Sequence, residues 1–188
     1  KWEKRKLNFG SFCREELIDD QNYWNVVKKI LETNKECKFY YCGRNPIHLK
    51  WSEKLNINNR NIFFLGWIKE PNIKLKEMSF ILDGFSLGHG LMAIEAMAVG
   101  VPVVFPKKRK THGTSENFIR RSRRYLNKEN KSKDIKNYLL SFENDETLAI
   151  MTTNLLTKSV YNNKYGSHYQ KVVQQYPYDT FEKFVEIL

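Results

Sequence analysis

The segment from Phe80 to Pro106 limits the fold more than any other part of the sequence. A short apolar run, Phe80–Asp83, leads through a glycine-rich turn into an apolar stretch, Leu91–Val99, and a second apolar run, Val101–Phe105, stops at Pro106. Apolar runs of this length predict buried strands, and the longer stretch between them predicts a helix. The segment therefore predicts a strand-helix-strand unit.

The sequence before this unit alternates in the same way. The predicted strands are Leu7–Cys13, Lys38–Cys42 and Asn61–Leu65, the predicted helix is Asn22–Thr33, and shorter helical or loop segments are expected around Pro46–Leu55 and over Ile73–Met78. Alternation of this kind predicts an α/β fold, with a Rossmann-like, doubly wound parallel sheet and helices on both faces. Ligands of such a sheet bind at the carboxyl ends of its strands.

From residue 132 onward the apolar residues recur at helical spacing, which predicts a C-terminal helical tail. The two sets that share a face are Ile135, Tyr138, Leu139 and Phe142, and then Leu148, Met151, Leu155 and Leu156. Thr180 is a candidate cap for a last short helix, Phe181–Leu188. We expect residues 1–188 to form one domain.

The composition favours a folded cytoplasmic protein with an anionic partner. The formal net charge is +11, and no apolar run approaches the roughly 20 residues of a membrane helix. The start of the chain, Lys1–Lys6, lacks the apolar stretch of a signal peptide, and Cys13, Cys37 and Cys42 form no C-x-x-C pair. The charge alone fits nucleic acid, a membrane surface or a phosphorylated metabolite. We expect no metal and no cofactor.

The turn before the predicted helix has the composition of an anion site. Gly88 and Gly90 let the backbone pass close to a ligand, and the amides near His89 and Leu91 face an anion at the start of the helix. A tight strand-to-helix connection is the alternative. Glu95 is an acid in an otherwise apolar helix, so burial there requires a partner such as a pair of ribose hydroxyls. The alternative for Glu95 is a solvated acid on an exposed face.

A second loop of this type follows the last strand of the unit. Lys107–Lys110 is basic, and Thr111–Ser115 supplies hydroxyls, a glycine and backbone amides. These features predict a second phosphate-binding loop. The alternative is a helix cap in which Ser or Thr precedes Glu116.

Together these motifs resemble the C-terminal domain of GT-B glycosyltransferases of the group 1 type. The resemblance rests on Asn61–Ile68, Ile81–Phe85, Gly88–Leu91 and Glu95–Val104, in matching order along about 100 residues. It implies transfer of a sugar from a nucleotide diphosphate donor, a UDP-sugar, to a glycan, lipid-linked or protein acceptor. The nucleotide sugar is then a substrate, and this chain is the half of the enzyme that holds it.

The resemblance also implies roles for individual residues. Glu95 binds the donor ribose, Ile68 lies beside the base, and the loop with Glu116 closes over the diphosphate and the sugar. Trp67 either stacks on the base or belongs to the core. The full set of donor-binding candidates is Gly10, Ser11, Arg14, Trp67, Ile68, Gly88, His89, Gly90, Leu91, Glu95, Gly113, Thr114, Ser115 and Glu116.

Partners follow from the same resemblance. An N-terminal domain outside this sequence binds the acceptor, and the tail from about residue 165 to residue 188 packs partly against it, so the chain alone is expected to be inactive. The family and the charge favour peripheral contact with an anionic membrane surface in polysaccharide biosynthesis over contact with nucleic acid. For the basic runs Lys107–Lys110 and Arg120–Arg124, a solvated surface is the alternative.

Departures from the family pattern leave the stereochemistry and the catalytic residue open. Retaining members carry a second glutamate where this sequence has Leu87, and a lysine near the position of Glu15 and Glu16, after Arg14. The turn Phe9–Phe12 is similar to that of inverting, protein-glycosylating members. The alternatives are a sugar-nucleotide epimerase of the same fold and a basic nucleic-acid-binding module.

Overall fold

The computed structural model describes residues 7–85, 90–107 and 140–174. Within these ranges it contains a parallel sheet of six strands with helices on both faces. The strands are β1 (Asn8–Ser11), β2 (Lys38–Tyr41), β3 (Ile62–Phe64), β4 (Phe80–Leu82), β5 (Val103–Pro106) and β6 (Ser141–Phe142). Their order across the sheet is β3-β2-β1-β4-β5-β6, and each neighbouring pair is parallel. The predicted fold class is confirmed.

Six α-helices connect or cover the described strands. They are α1 (Gln21–Thr33), α2 (His48–Leu55), α3 (Pro71–Leu75), α4 (Leu91–Ala98), α5 (Asp145–Thr157) and α6 (Ser159–Gln174), with short 3₁₀ turns at Glu15–Leu17 and Asn59–Asn61. Helix α1 starts where Asp20 accepts a hydrogen bond from the amide of Tyr23 at 3.0 Å. It then buries Trp24, Val27 and Ile30 against the sheet, as its spacing predicts.

Aromatic rings hold the central strands together. The ring of Phe9 in β1 lies 4.9 Å from that of Phe39 in β2 and 5.2 Å from that of Phe80 in β4. These three residues are also backbone partners in the sheet and are fully buried. Stacked and tilted ring pairs at these distances stabilise the sheet beyond the area that they bury.

The prediction of a helix that includes Ile135 and Phe142 is wrong at its C-terminal end. Phe142 instead lies in the short strand β6, and Leu140 precedes it. The amide of Phe105 donates to Leu140 O, and the amide of Lys107 donates to Phe142 O. The edge of β5 has amides and carbonyls that need partners, and a short apolar run satisfies them as a strand. Apolar spacing over so few residues does not distinguish a helix from a strand. Residues 132–139 lie outside the described part.

The first part of the C-terminal tail packs on this domain. Helix α6 contacts α4 and α5, and Tyr169 is fully buried. Gln170 lies against Gly100, where an added Cβ atom would be 2.9 Å from Gln170 Cδ. The packing of the tail from about residue 165 to residue 188 against another domain stays a prediction, and residues 175–188 lie outside the described part. No helix within the described ranges is long and apolar enough to cross a membrane.

The carboxyl end of β2 is fixed to the start of α2 by a hydroxyl and an imidazole. The backbone amide of His48 donates to Tyr41 Oη at 3.1 Å, and the two side chains meet at 2.7 Å between Tyr41 Oη and His48 Nδ1. Because the hydroxyl already accepts from the amide, its proton is available for Nδ1 of a neutral ring. Burial lowers the pKa of His48 below its usual 6.5 and raises the pKa of Tyr41 to about 12.

Replacement of Gly10 by alanine should destabilise the protein. A Cβ atom there would lie 2.8 Å from Tyr40 O and 2.7 Å from Phe12 Cε2. Because the carbonyl belongs to the neighbouring strand, it cannot move without disturbing the sheet. We expect Gly10→Ala to lower the free energy of unfolding by about 1–3 kcal/mol in urea titrations. Gly66→Ala is the contrasting variant, since its loss arises from φ of 64° alone and no atom lies within 4 Å of the added Cβ. A Gly10→Ala variant as stable as wild type would contradict the packing account.

The pair of Tyr41 and His48 predicts a pH-dependent stability. As the pH falls below about 6.5, the unfolded chain binds a proton on His48 while the folded chain does not, so the free energy of unfolding decreases. We expect the stability of wild type relative to His48→Gln to shrink between pH 7.5 and pH 5.5 in urea titrations. Glu15 and Asp19, whose pKa values are also lowered, lose their contribution only in more acid solution. A difference that stays constant over this interval would contradict the assignment.

Candidate functional site

The strand order reverses between β1 and β4, and this places a crevice at the carboxyl ends of these two strands. The chain leaves β1 towards β2 on one side and leaves β4 towards β5 on the other. The connections therefore diverge above the sheet and leave room between them for a ligand. The loops that border the crevice are those after β1 and after β4.

The loop after β1 begins at a buried residue and leads to an exposed arginine. Ser11 is fully buried, and its Oγ lies 3.4 Å from Cys13 Sγ. Burial raises the pKa of the Cys13 thiol to about 12, so it stays protonated and is a poor nucleophile at neutral pH. Arg14 is exposed, and no ion pair engages its guanidinium within the described ranges. This loop therefore offers a cation rather than a nucleophile.

The loop after β4 begins on a rigid, buried support. Asp83 is fully buried, and its Oδ1 accepts a hydrogen bond from the amide of Gly84 at 3.0 Å. Below it, Tyr23 Oη donates to Leu82 O at 3.1 Å, and the Tyr23 ring meets that of Phe85 edge to face at 5.2 Å. Burial also raises the pKa of Tyr23, so the hydroxyl keeps its proton. The entry to the glycine-rich turn is thus held in place from beneath.

Helix α4 starts beside this turn with an open end. Gly90 has φ of 59° and ψ of −132°, and a Cβ atom there would meet nothing within 4 Å. Glycine is therefore required by the backbone angles and not by lack of space. Leu91 is 39% exposed, so the first turn of the helix is accessible. These features suit the approach of a ligand to the helix start.

The predicted burial of Glu95 is wrong. The structure places its side chain on the exposed side of α4, while Ala93, Ile94, Ala96 and Met97 face the core. A solvated carboxylate has no burial cost and needs no partner within the domain. Its proposed contact with ribose stays a prediction, now based on access from the solvent.

The loop after β3 exposes an aromatic side chain. Trp67 is 75% exposed, so the alternative that places it in the core is wrong. Ile68 is partly buried and packs against the core. The amide of Gly43 donates to Gly66 O at 3.3 Å, which ties this loop to the loop after β2. Trp67 is therefore available to a ligand at the same edge of the sheet.

The other predicted residues are not brought together by the described structure. Gly10 and Ser11 are buried in β1, and close packing accounts for the glycine, so a donor contact from either stays a prediction. Six candidates lie outside the described residues: Gly88, His89, Gly113, Thr114, Ser115 and Glu116.

Sequence reasoning missed a contact between the loops after β1 and β2. Glu15 Oε2 accepts from the amide of Arg44 at 2.9 Å, and Glu15 Oε1 accepts from Asn45 Nδ2 at 2.9 Å. The hydrogen bond from the Arg44 amide lowers the pKa of Glu15 and outweighs the opposing effect of burial. No motif or spacing indicates this contact, because its partners are distant in sequence.

Comparisons with known proteins agree with this geometry. A family model described as "Glycosyl transferases group 1" matches residues 10–142. No curated protein matches the sequence at a significant level. Solved structures do match, and the three described next are each below 25% identical, a level that supports the fold alone.

Three of these structures are informative. TarM of S. aureus is similar with a TM-score of 0.71 and 20% identity, over 97% of this chain and 35% of that chain. The C-terminal domain of a glycosyl transferase group 1 family protein, LpcC from Francisella tularensis, gives a TM-score of 0.61 and 18% identity, over 89% of this chain and 84% of that domain. A putative UDP-N-acetylglucosamine 2-epimerase from Listeria monocytogenes gives 0.56 and 16%, over 88% of this chain and 40% of that chain. The chain thus spans about a third of the length of TarM.

Proposed function

The chain belongs to the family of group 1 glycosyl transferases, and from this premise we propose that it holds the nucleotide-sugar donor of a two-domain GT-B enzyme. The enzyme transfers the sugar to a glycan, lipid-linked or protein acceptor bound mainly by another domain. The observation that carries the proposal is the reversal of strand order between β1 and β4, a position bordered by the exposed Arg14 and by the start of α4.

The proposed donor is a UDP-sugar. Support comes from TarM, since one structure of a mutant form of that protein is a complex with fondaparinux, alpha-GlcNAc-glycerol and UDP. In this chain, Arg14 and the amides at the start of α4 bind the diphosphate, and Glu95 accepts hydrogen bonds from the ribose. Trp67 stacks on the base or on the sugar, with Ile68 beside it.

Transfer requires the bond between the sugar and the diphosphate to break, and negative charge grows on the departing diphosphate. Fixed donors aimed at this charge stabilise the transition state more than the ground state. Arg14 and the helix amides supply such donors. The loop with Gly113, Thr114 and Ser115 is proposed to close over the same group, with Glu116 at the sugar. The group that activates the acceptor is not assigned to this chain.

Peripheral association with the cytoplasmic face of a membrane, in assembly of a cell-surface polysaccharide, also belongs to the proposal. The net charge of +11 supports it, because anionic lipids attract basic surfaces. The same charge would fit nucleic acid, but the family match favours a sugar-nucleotide substrate.

The epimerase is the second candidate, because one similar structure is a putative sugar-nucleotide 2-epimerase. Both candidates bind the same kind of donor, so binding alone does not separate them. Glycosyl transfer needs an acceptor, whereas epimerisation of the donor does not.

Replacement of Glu95 tests the ribose contact. We expect Glu95→Ala to weaken binding of UDP about tenfold or more in calorimetry, because a carboxylate that accepts from ribose hydroxyls forms charge-assisted hydrogen bonds. The loss should vanish when the ligand is 2′,3′-dideoxy-UDP, which lacks those hydroxyls. Glu53→Ala in α2 removes a likewise exposed acid and is the control. An equal loss with both ligands would rule out the ribose role, and absence of UDP binding to wild type at millimolar concentration would rule out the proposed donor.

Product analysis separates the two candidate reactions. The full-length protein, incubated with UDP-N-acetylglucosamine and no acceptor, should leave the configuration of the sugar at C2 unchanged. An epimerase would convert the donor to its C2 epimer under these conditions. Proton NMR of the recovered nucleotide sugar distinguishes the two, and appearance of the epimer would overturn glycosyl transfer.

A further inference from the structure

Two exposed arginines follow adjacent strands at the same edge of the sheet. Arg14 and Arg44 each follow, by three positions, a residue of the backbone pair Ser11 and Tyr41 in adjacent strands. Neighbouring strands are about 4.8 Å apart, so the two loops start side by side. Both arginines are exposed, and no ion pair or side-chain hydrogen bond engages either guanidinium within the described ranges.

The acids nearest to these arginines have other partners. Both oxygens of Glu15 are occupied by the amide of Arg44 and by Asn45 Nδ2, at 2.9 Å each. Asp19 accepts from Lys50 Nζ at 2.9 Å and from Trp51 Nε1 at 2.6 Å. Glu16 is exposed and forms no ion pair within the described ranges. Among the described residues, neither guanidinium therefore forms a direct ion pair, and the nearby carboxylate of Glu15 acts on the guanidinium of Arg44 only through its charge.

Glu15 fixes the backbone from which Arg44 projects. Its carboxylate bonds the amide of Arg44 itself, and the charge of Arg44 also contributes to the lowered pKa of Glu15. The space for this carboxylate exists because residue 43 is glycine, where a Cβ atom would lie 3.0 Å from Glu15 Oε2. The same loop is tied to the loop after β3 through Gly43 and Gly66. The backbone at Arg44 is thus held by hydrogen bonds, and its side chain is exposed to solvent.

Two exposed arginines on neighbouring loops attract anions, and an anion that bridges them offsets the repulsion between their charges. A phosphate or diphosphate suits this arrangement best, because the planar, forked donors of arginine match its oxygens. We propose that Arg44 is a phosphate-binding residue that acts together with Arg14 on the diphosphate of the donor, and that Glu15 is the residue that positions it. This inference rests on the proposed function for the identity of the donor.

Calorimetry with UDP, inorganic pyrophosphate and uridine tests the proposal on the full chain. We expect Arg44→Ala to weaken binding of UDP and of pyrophosphate about tenfold or more, since the lost contact is charge-assisted, and to leave uridine binding unchanged. Arg60→Ala is the matched control, because Arg60 is likewise exposed but precedes β3 at the amino edge of the sheet. It should change none of the three affinities by more than about twofold.

The outcomes separate this inference from the proposed function. If wild type binds UDP and Arg44→Ala binds it equally well, the role of Arg44 is overturned and the donor assignment stands. If wild type binds pyrophosphate through Arg44 but does not bind UDP, the phosphate site is supported and the assignment of a nucleotide donor is overturned. If wild type binds neither, both fall. A loss that Arg60→Ala reproduces would assign the effect to net charge and would also overturn the inference.

Variants of Glu15 test its positioning role by the sign of their effect. Removal of a carboxylate beside a cationic site should strengthen anion binding if only charge matters. If Glu15 positions Arg44, Glu15→Ala instead weakens pyrophosphate binding, and Glu15→Gln, whose amide oxygen can still accept from the Arg44 amide, recovers most of it. Uridine binding should stay unchanged in both variants. Tighter pyrophosphate binding by a folded Glu15→Ala would overturn the positioning role.

Discussion

The stacking of Phe9 between Phe39 and Phe80 fixes the geometry on which the candidate site depends. Each ring belongs to a different strand, and the three strands are neighbours at the centre of the sheet. Because Phe9 is also the backbone partner of Phe39 and of Phe80, the three strands are held in one register and end two residues beyond the rings. The loops after β1, β2 and β4 therefore begin at one level, which is what a ligand that touches several of them needs.

Several polar groups at the carboxyl ends of the strands form hydrogen bonds within the protein. The carboxylates of Glu15, Asp19 and Asp83 all bind groups of the protein itself, and the hydroxyl of Tyr23 donates to a strand carbonyl. These three acids are thus committed to contacts within the protein, while the basic and aromatic side chains of Arg14, Arg44 and Trp67 are exposed to solvent. Such a distribution favours an anionic ligand with an aromatic part, and a nucleotide has both.

The sequence predicts the repeating parts of the fold well and the contacts between them poorly. Helix α1 and the strands follow from spacing and from the length of apolar runs, because these depend on residues close in the chain. The strand β6 was missed because the open edge of β5 decided the outcome, and no local pattern reports such an edge. The exposure of Glu95 was misjudged, and the two alternatives for Trp67 were left open, for a related reason. Exposure depends on which face of an element meets the sheet, and one aromatic or acidic residue does not reveal that face. The Glu15 contact is the extreme case, since it joins two loops that only the assembled sheet brings together.

The glycines at positions 66 and 90 share a property that concerns handedness rather than size. Each has a positive φ, near 60°, and each has empty space where a side chain would stand. An L-amino acid is disfavoured at both positions by its own backbone, whereas a D-amino acid prefers these angles. Positions 66 and 90 therefore select their residue by its backbone angles and not by its volume, so the shape of these two loops is specified by chirality.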